Sequence, residues 1–108
     1  MTTNYVKRTI IMHSKTINTA SIPTDELITA MKDLSTGAYK LLMYYYSRKT
    51  GWNFSDREIA NTIDVSERRL KELRKELIDG KYLLILKGGI DNYFVGRNAV
   101  QEWENPDE

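Results

Sequence analysis

The residues best suited to chemistry lie between Ser66 and Lys87, a stretch with seven basic and four acidic residues. Leu70, Leu73 and Leu77 are spaced three and four apart, so on a helix they form one inward stripe. That leaves Arg68, Lys71, Glu72 and Lys75 outward, with Arg69 at the edge. An arginine offers a planar fork of donors that fits a guanine edge or a phosphate; a lysine is a point charge that suits phosphate. Ser66 can cap this helix, and its first amides then form an anion site. Further on, Lys87 precedes Gly88 and Gly89 in a turn, which puts a cation on a tip able to approach a ligand closely. Asn92 and Arg97 are the polar residues that flank it.

Other chemistry is poorly represented. The chain has one histidine, His13, and no cysteine, which removes thiolate metal sites and disulfides. It has no glycine-rich phosphate loop, nucleophile elbow or metal-spaced cluster, so neither an enzyme nor a cofactor is expected. No apolar run approaches the ~20 residues that span a bilayer, so no membrane contact is expected either. The lack of cysteine suits a reducing cytoplasm, the compartment expected here. Net charge is +1 over 108 residues, which decides nothing by itself. Its distribution is more telling. Lys7, Arg8 and Lys15 stand in an acid-free start, and Glu102, Glu104, Asp107 and Glu108 in a base-free end, so one face can still be positive.

The elements that position these cations are legible. Ser55 and Glu58 have capping-box spacing, and Ile59, Ala60 and Ile63 give the helix that follows a face to bury. Asp64-Val65 is a turn. Gly80 is placed to end the second helix in the left-handed conformation. Two helices joined this tightly form a helix-turn-helix unit.

The pattern S-x-x-x-I-A-x-x-I-x-V-S-x-x-x-L-x-x-L, followed by L-I-D-G-K-Y-L-L-I, resembles the winged helix-turn-helix DNA-binding domains of bacteria, phages and plasmids. The resemblance covers about Ser35 to Gly96. The chain departs from it at Asp64, where that family has glycine; aspartate tolerates the left-handed region better than most residues. The resemblance implies a mainly α fold with a small antiparallel β-sheet and sequence-specific binding of double-stranded DNA. Arg68 and Arg69 would read guanines, and Ser66, Lys71 and Lys75 would meet phosphates. Glu72 would accept from cytosine or pair along the helix, and the tip at Lys87 would contact the backbone or minor groove. The competing account is a solvated helix with pairs Arg68–Glu72, Lys71–Lys75 and Glu72–Glu76. Two of those three are repulsive, which favours a binding face.

The remaining segments complete one domain, 1–108. Tyr5–Met12 is a strand whose two sides are both partly apolar, so it needs an edge neighbour: the hairpin or a second subunit. His13–Ser21 is a loop. Pro23-Thr24 starts a helix with Leu27, Ile28 and Met31 as its apolar side. Ser35 caps a helix over 36–48 with Ala38, Leu41, Leu42 and Tyr45 inward. Its run Tyr44-Tyr45-Tyr46 cannot share one face, so one ring is core and the others sit at the rim with wet hydroxyls. Trp52 and Phe54 anchor the connection to the next helix. Residues 82–95 form the wing hairpin, its turn supplied with positive φ by glycine. Asn98 caps a short helix ending near Glu104, with Val100 and Trp103 on one side, before an acidic tail.

A single reading unit makes few base contacts, which favours a homodimer on paired half-sites, joined through the Tyr5–Met12 strand or the Val100/Trp103 helix. The resemblance points to mobile-element proteins: transcription regulators, or accessory factors marking a plasmid origin of transfer, replication or partition, with a DNA-processing protein as a further partner. The rival is an adaptor of the same fold that docks on proteins and not on DNA.

Overall fold

In a computed structural model, residues 8–12 and 22–104 are described. They form β1 (Arg8–Met12), α1 (Thr24–Asp33), α2 (Thr36–Tyr46), α3 (Asp56–Ile63), α4 (Glu67–Asp79), β2 (Leu83–Leu86), β3 (Ile90–Val95) and α5 (Arg97–Glu104). Tyr5–Lys7, the His13–Ser21 loop and the acidic tail beyond Glu104 lie outside the described residues.

Helix α2 is the centre of the fold. Ala38, Leu41, Leu42 and Tyr45 are fully buried, as their spacing predicts. Tyr44 and Tyr46 are buried as well, which overturns the expectation of rim tyrosines with wet hydroxyls. A helix packed on several sides has no rim. The Tyr44 and Tyr45 hydroxyls are enclosed with no hydrogen-bond partner among the described residues, and Tyr46 donates to Glu26. The Tyr45 ring meets Phe54 and Tyr93 at centroid distances of 5.7 and 5.9 Å.

Three serines start three helices by one device. The hydroxyls of Ser35, Ser55 and Ser66 accept from the amides of Ala38, Glu58 and Arg69 at 3.2, 3.2 and 3.0 Å. Asp64 takes the left-handed conformation between α3 and α4, with φ 59° and ψ 54°. At the end of α4 the expectation fails in detail. Gly80 has φ −85°, and the left-handed residue is Lys81, φ 67°. Gly80 is needed for closeness: a Cβ there would lie 3.0 Å from the Tyr82 ring.

The sheet is mixed, not purely antiparallel as expected. Its order is β1-β3-β2, with β2 antiparallel to β3 and β1 parallel to it. The other edge of β1 is closed within the chain: Ile11 donates to the Trp52 carbonyl, and Gly51 and Phe54 donate to Ile11 and Thr9. Over residues 9–11, then, the outer edge of β1 is already paired within the chain. Alternation gives the sheet two faces. Ile11, Leu83, Tyr93 and Val95 turn into the core. Ile10, Met12, Leu84, Leu86, Asn92 and Phe94 turn away from it.

Helix α1 also faces a different way from its pattern. Its buried residues are Glu26 and Ala30, whereas Ile28 and Met31 are 46 % and 59 % exposed. The cause is electrostatic. The Glu26 carboxylate accepts from the Tyr46 hydroxyl and from the Arg97 amide, the latter at 2.6 Å. It thereby caps α5 from 71 positions away in sequence. So α5 begins at Arg97, ahead of the expected Asn98 cap. Gly96 makes the approach: its φ is +93°, and a Cβ there would collide with the Tyr46 hydroxyl.

Two outcomes follow for stability. Gly96→Ala combines left-handed strain with that collision and should cost about 2–4 kcal/mol in urea unfolding, several times an exposed Gly→Ala change. Burial pushes the hydroxyls of Tyr45, Tyr46 and Tyr93 above the ordinary value of 10.0, with the Glu26 carboxylate raising Tyr46 further. The folded chain then holds protons that the unfolded chain releases, so stability should fall as pH rises past about 10. In an alkaline titration these hydroxyls should ionise only together with loss of far-UV ellipticity.

Candidate functional site

Helix α4 is fixed in rotation by its inward leucines, all three buried. Positions around it follow at about 100° per residue. Arg74 lies roughly 60° from the centre of the leucine stripe, Lys71 roughly 60° beyond it, and Arg68 roughly 60° beyond that, with Lys75 between the last two. Glu67 is the acid on this side. In the opposite direction come Arg69, Glu76 and Glu72.

Each side of α4 is tied down. Glu76 accepts from the Ser35 amide and hydroxyl, both at 2.7 Å, so this side leans on the start of α2. On the other side, Arg74 is ion-paired with Asp56 in the first turn of α3, and its guanidinium stands 5.5 Å from the Tyr93 ring centroid on β3. It also sits beside the Tyr45 hydroxyl, short of hydrogen-bond geometry.

Arg74 opens into a polar groove of about 580 Å³ between the start of α3 and the hairpin, where Lys87, Asp91, Glu58 and Asn53 also lie. The flank of α4 bearing Arg74 and Lys71, with Glu67, therefore faces the hairpin, and the flank bearing Arg69, Glu76 and Glu72 faces away from it. Arg68 and Lys75 lie between the two flanks, on the back of the helix.

The expected site residues divide accordingly. Lys71 is exposed on the hairpin flank, Arg68 is exposed on the back of the helix, and Lys87 and Gly88 are exposed at the tip. Lys75 is also on the back and is bridged to Asp79 at 2.9 Å. Arg69 and Glu72 lie on the far side and pair with each other at 3.2 Å. Arg69 is thus separated from Arg68, and neither exposed pair is among those expected. Such pairs contribute under about 1 kcal/mol and break easily. The Ser66 hydroxyl is committed to its cap. Gly88 needs no positive φ; its amide donates to Asp91 at 3.3 Å, and a Cβ would fit.

Two residues leave the group. Asn92 is on the outer sheet face, paired across strands with Ile10 and Leu86. Arg97 is at the base of the hairpin, its guanidinium 4.5 Å from the Tyr82 ring centroid. The strand β3 separates it from the tip by about 17 Å at ~3.3 Å per residue, so it does not flank Lys87. Arg74, Asp56 and Asn53 were not singled out by sequence. Arg74 had one signal: it follows Leu73 on the edge of the inward stripe, where a long cation must be paired.

Among the described residues no group of three or more His, Asp or Glu side chains could hold a metal ion, and no helix is long and apolar enough to cross a membrane. No family model matches the sequence, and neither a curated protein nor a solved structure matches it significantly.

Arg74→Leu should strand the Asp56 carboxylate in the groove and cost about 3 kcal/mol or more. Adding Asp56→Asn to Arg74→Leu should recover over half of that loss in a double-mutant cycle by denaturant unfolding.

Proposed function

We propose that this chain is a small winged helix-turn-helix protein that binds double-stranded DNA in a sequence-specific manner, as a homodimer. The supporting observation is the fixed rotation of α4: Lys71 lies on the flank that carries Arg74, which shares a groove with Lys87, and Arg68 and Lys75 stand outward on the back of the helix, opposite the leucine stripe. In this reading α3, α4 and the β2–β3 hairpin are the helix-turn-helix and its wing. The start of α4 enters the major groove, Arg68 reads a base edge, and Lys71 and Lys75 hold phosphates after Lys75 leaves Asp79. Lys87 contacts the backbone beside the groove. Asp56, Glu58 and Asp91 line the cleft behind it, so the contact is made by the rim of that cleft and not by its floor.

The role on a mobile element, as transcription regulator or as a factor marking an origin of transfer, replication or partition, rests on the resemblance of the sequence pattern alone. The alternative, an adaptor that binds proteins and not DNA, has the apolar outer face of the sheet in its favour.

Selection of bound duplexes from a random pool, followed by titration against salt, separates the two. Neutralising four to six phosphates gives log K a slope of about −4 to −5 against log salt. Lys71→Glu and Lys87→Glu should each flatten it. Arg68→Ala should relax preference at one base pair, by about 1–3 kcal/mol, while Lys75→Ala weakens all sequences alike. A chain that retains no duplex at low salt is an adaptor.

A further inference from the structure

Helix α1 is built inside out. Glu26 and Ala30 are its buried side, and its apolar residues are turned to water. At about 100° per residue, Ile28 stands directly opposite the midpoint of Glu26 and Ala30. Leu27 and Met31 lie to one side of Ile28, and Asp25 and Lys32 to the other. Ile28 and Met31 are 46 % and 59 % exposed, and Met31 is the most exposed large apolar side chain among the described residues. The helix cannot roll to hide them, because Glu26 is held by the Tyr46 hydroxyl and the Arg97 amide. An apolar stripe fixed on the outer side of a surface helix reverses the usual arrangement and marks a surface that a partner covers.

We infer that this stripe is the contact between two copies of the chain, with their α1 helices packed antiparallel about a two-fold axis beside Ile28. The inference rests on the two-fold part of the proposed function, and on nothing in its DNA-binding part. It uses neither the first strand nor α5, the elements that the sequence singled out for pairing.

The charges select the occupant. Asp25 and Lys32 are exposed and flank the stripe on one edge. The other acids of α1 are out of the way: Glu26 is buried, and Asp33 lies roughly 140° round from Ile28. Asp25 and Lys32 are about 10 Å apart along the axis, and their midpoint falls between Ile28 and Thr29. A two-fold axis at that point, perpendicular to both helices, keeps the charged edge on the same side in each copy. It sets Asp25 of each copy level with the partner's Lys32, so two ion pairs form together. On the other edge Met31 comes within about one residue's rise of the partner's Leu27, and Ile28 meets its own copy at the centre. Packed helices lie 8–10 Å apart, a separation that an aspartate and a lysine at the edge can bridge.

A parallel pair would instead set the charged edge of each helix against the apolar edge of the other. The helix dipole explains an acid at the start and a base at the end of α1, but not why both flank the apolar stripe. Complementarity to its own reversed copy is what a two-fold contact requires, and what no other occupant requires. The contact is small. Ten residues make a helix about 15 Å long, which buries less than the ~1,200 Å² of a stable interface, so the dimer separates on dilution.

Sedimentation of the full chain without DNA tests this. The wild type should pass from monomer to twice that mass as concentration rises. Ile28→Glu should abolish the change and leave far-UV ellipticity unaltered. Asp25→Lys and Lys32→Asp should each weaken the dimer about tenfold, because like charges then stand level. Mixed in equal amounts, those two variants should associate with each other as well as the wild type does with itself, since every level pair again joins opposite charges. Leu86→Lys, on the outer face of the sheet, should leave the dimer unaltered. A monomer at every concentration overturns the inference and leaves the stripe to a partner of other sequence. A dimer that survives Ile28→Glu, or that Leu86→Lys disrupts, overturns it by placing the contact elsewhere. Charge variants that fail to associate when mixed overturn the antiparallel register, and the inference with it. A dimer lost on Ile28→Glu that binds no duplex sinks the DNA-binding proposal alone; a dimer that ignores Ile28→Glu and binds duplex sinks this inference alone.

Discussion

The surface of this protein depends on one constraint: α4 cannot turn about its own axis. Leu70, Leu73 and Leu77 hold it to the core, Glu76 ties one flank to the start of α2, and Arg74 ties the other to α3 and β3. Rotation by one residue, about 100°, would break both ties and drag charge into the core. The placing of Lys71 on one flank of α4, Arg68 on its back and Arg69 on the other flank has meaning only because that angle is fixed. A helix held by its leucines alone has a broader minimum, since apolar contact is not directional.

A second buried charge does comparable work at the other end. Glu26 joins α1 to α2 through Tyr46 and to α5 through the Arg97 amide. Hydrogen bonds to a carboxylate are stronger than neutral ones, and losing either would leave a buried polar group unpaired. That explains why α1 turns Glu26 inward and leaves Ile28 and Met31 in solvent, against its hydrophobic pattern. The same contact fixes Gly96, where any side chain would meet the tyrosine. Apolar burial sets which helices pack; the two buried ions set how they are turned.

The local structure was legible where short-range chemistry decides it. The serine caps, the left-handed Asp64, the leucine stripe and both hairpin strands follow from residues within a few positions of one another. Legibility ended where partners are distant. Gly80 reads as a left-handed stop, yet Tyr82 packs against it and the turn passes to Lys81. The tyrosine run reads as part core and part rim, because nothing local says that α2 is enclosed. The two partly apolar sides of the first strand are a local signal that both sheet faces are non-polar. The parallel pairing with β3 is not, since strand direction depends on the path of the chain between them.

The order of elements, the inward stripe and the presence of cations on α4 and at the hairpin tip were determined by the sequence itself, because spacing along a helix or strand fixes which residues share a side. Only the tertiary structure decided which cations stand together. It set Lys71 on the flank that carries Arg74 and Arg68 on the back of α4, turned Arg69 to the other flank, moved Arg97 to the far end of the hairpin and made Arg74 a structural ion. Those assignments depend on the angle at which one element meets another. That angle is set by contacts such as Arg74–Asp56 and Glu26–Arg97, whose partners stand 18 and 71 positions apart, beyond the reach of any local pattern.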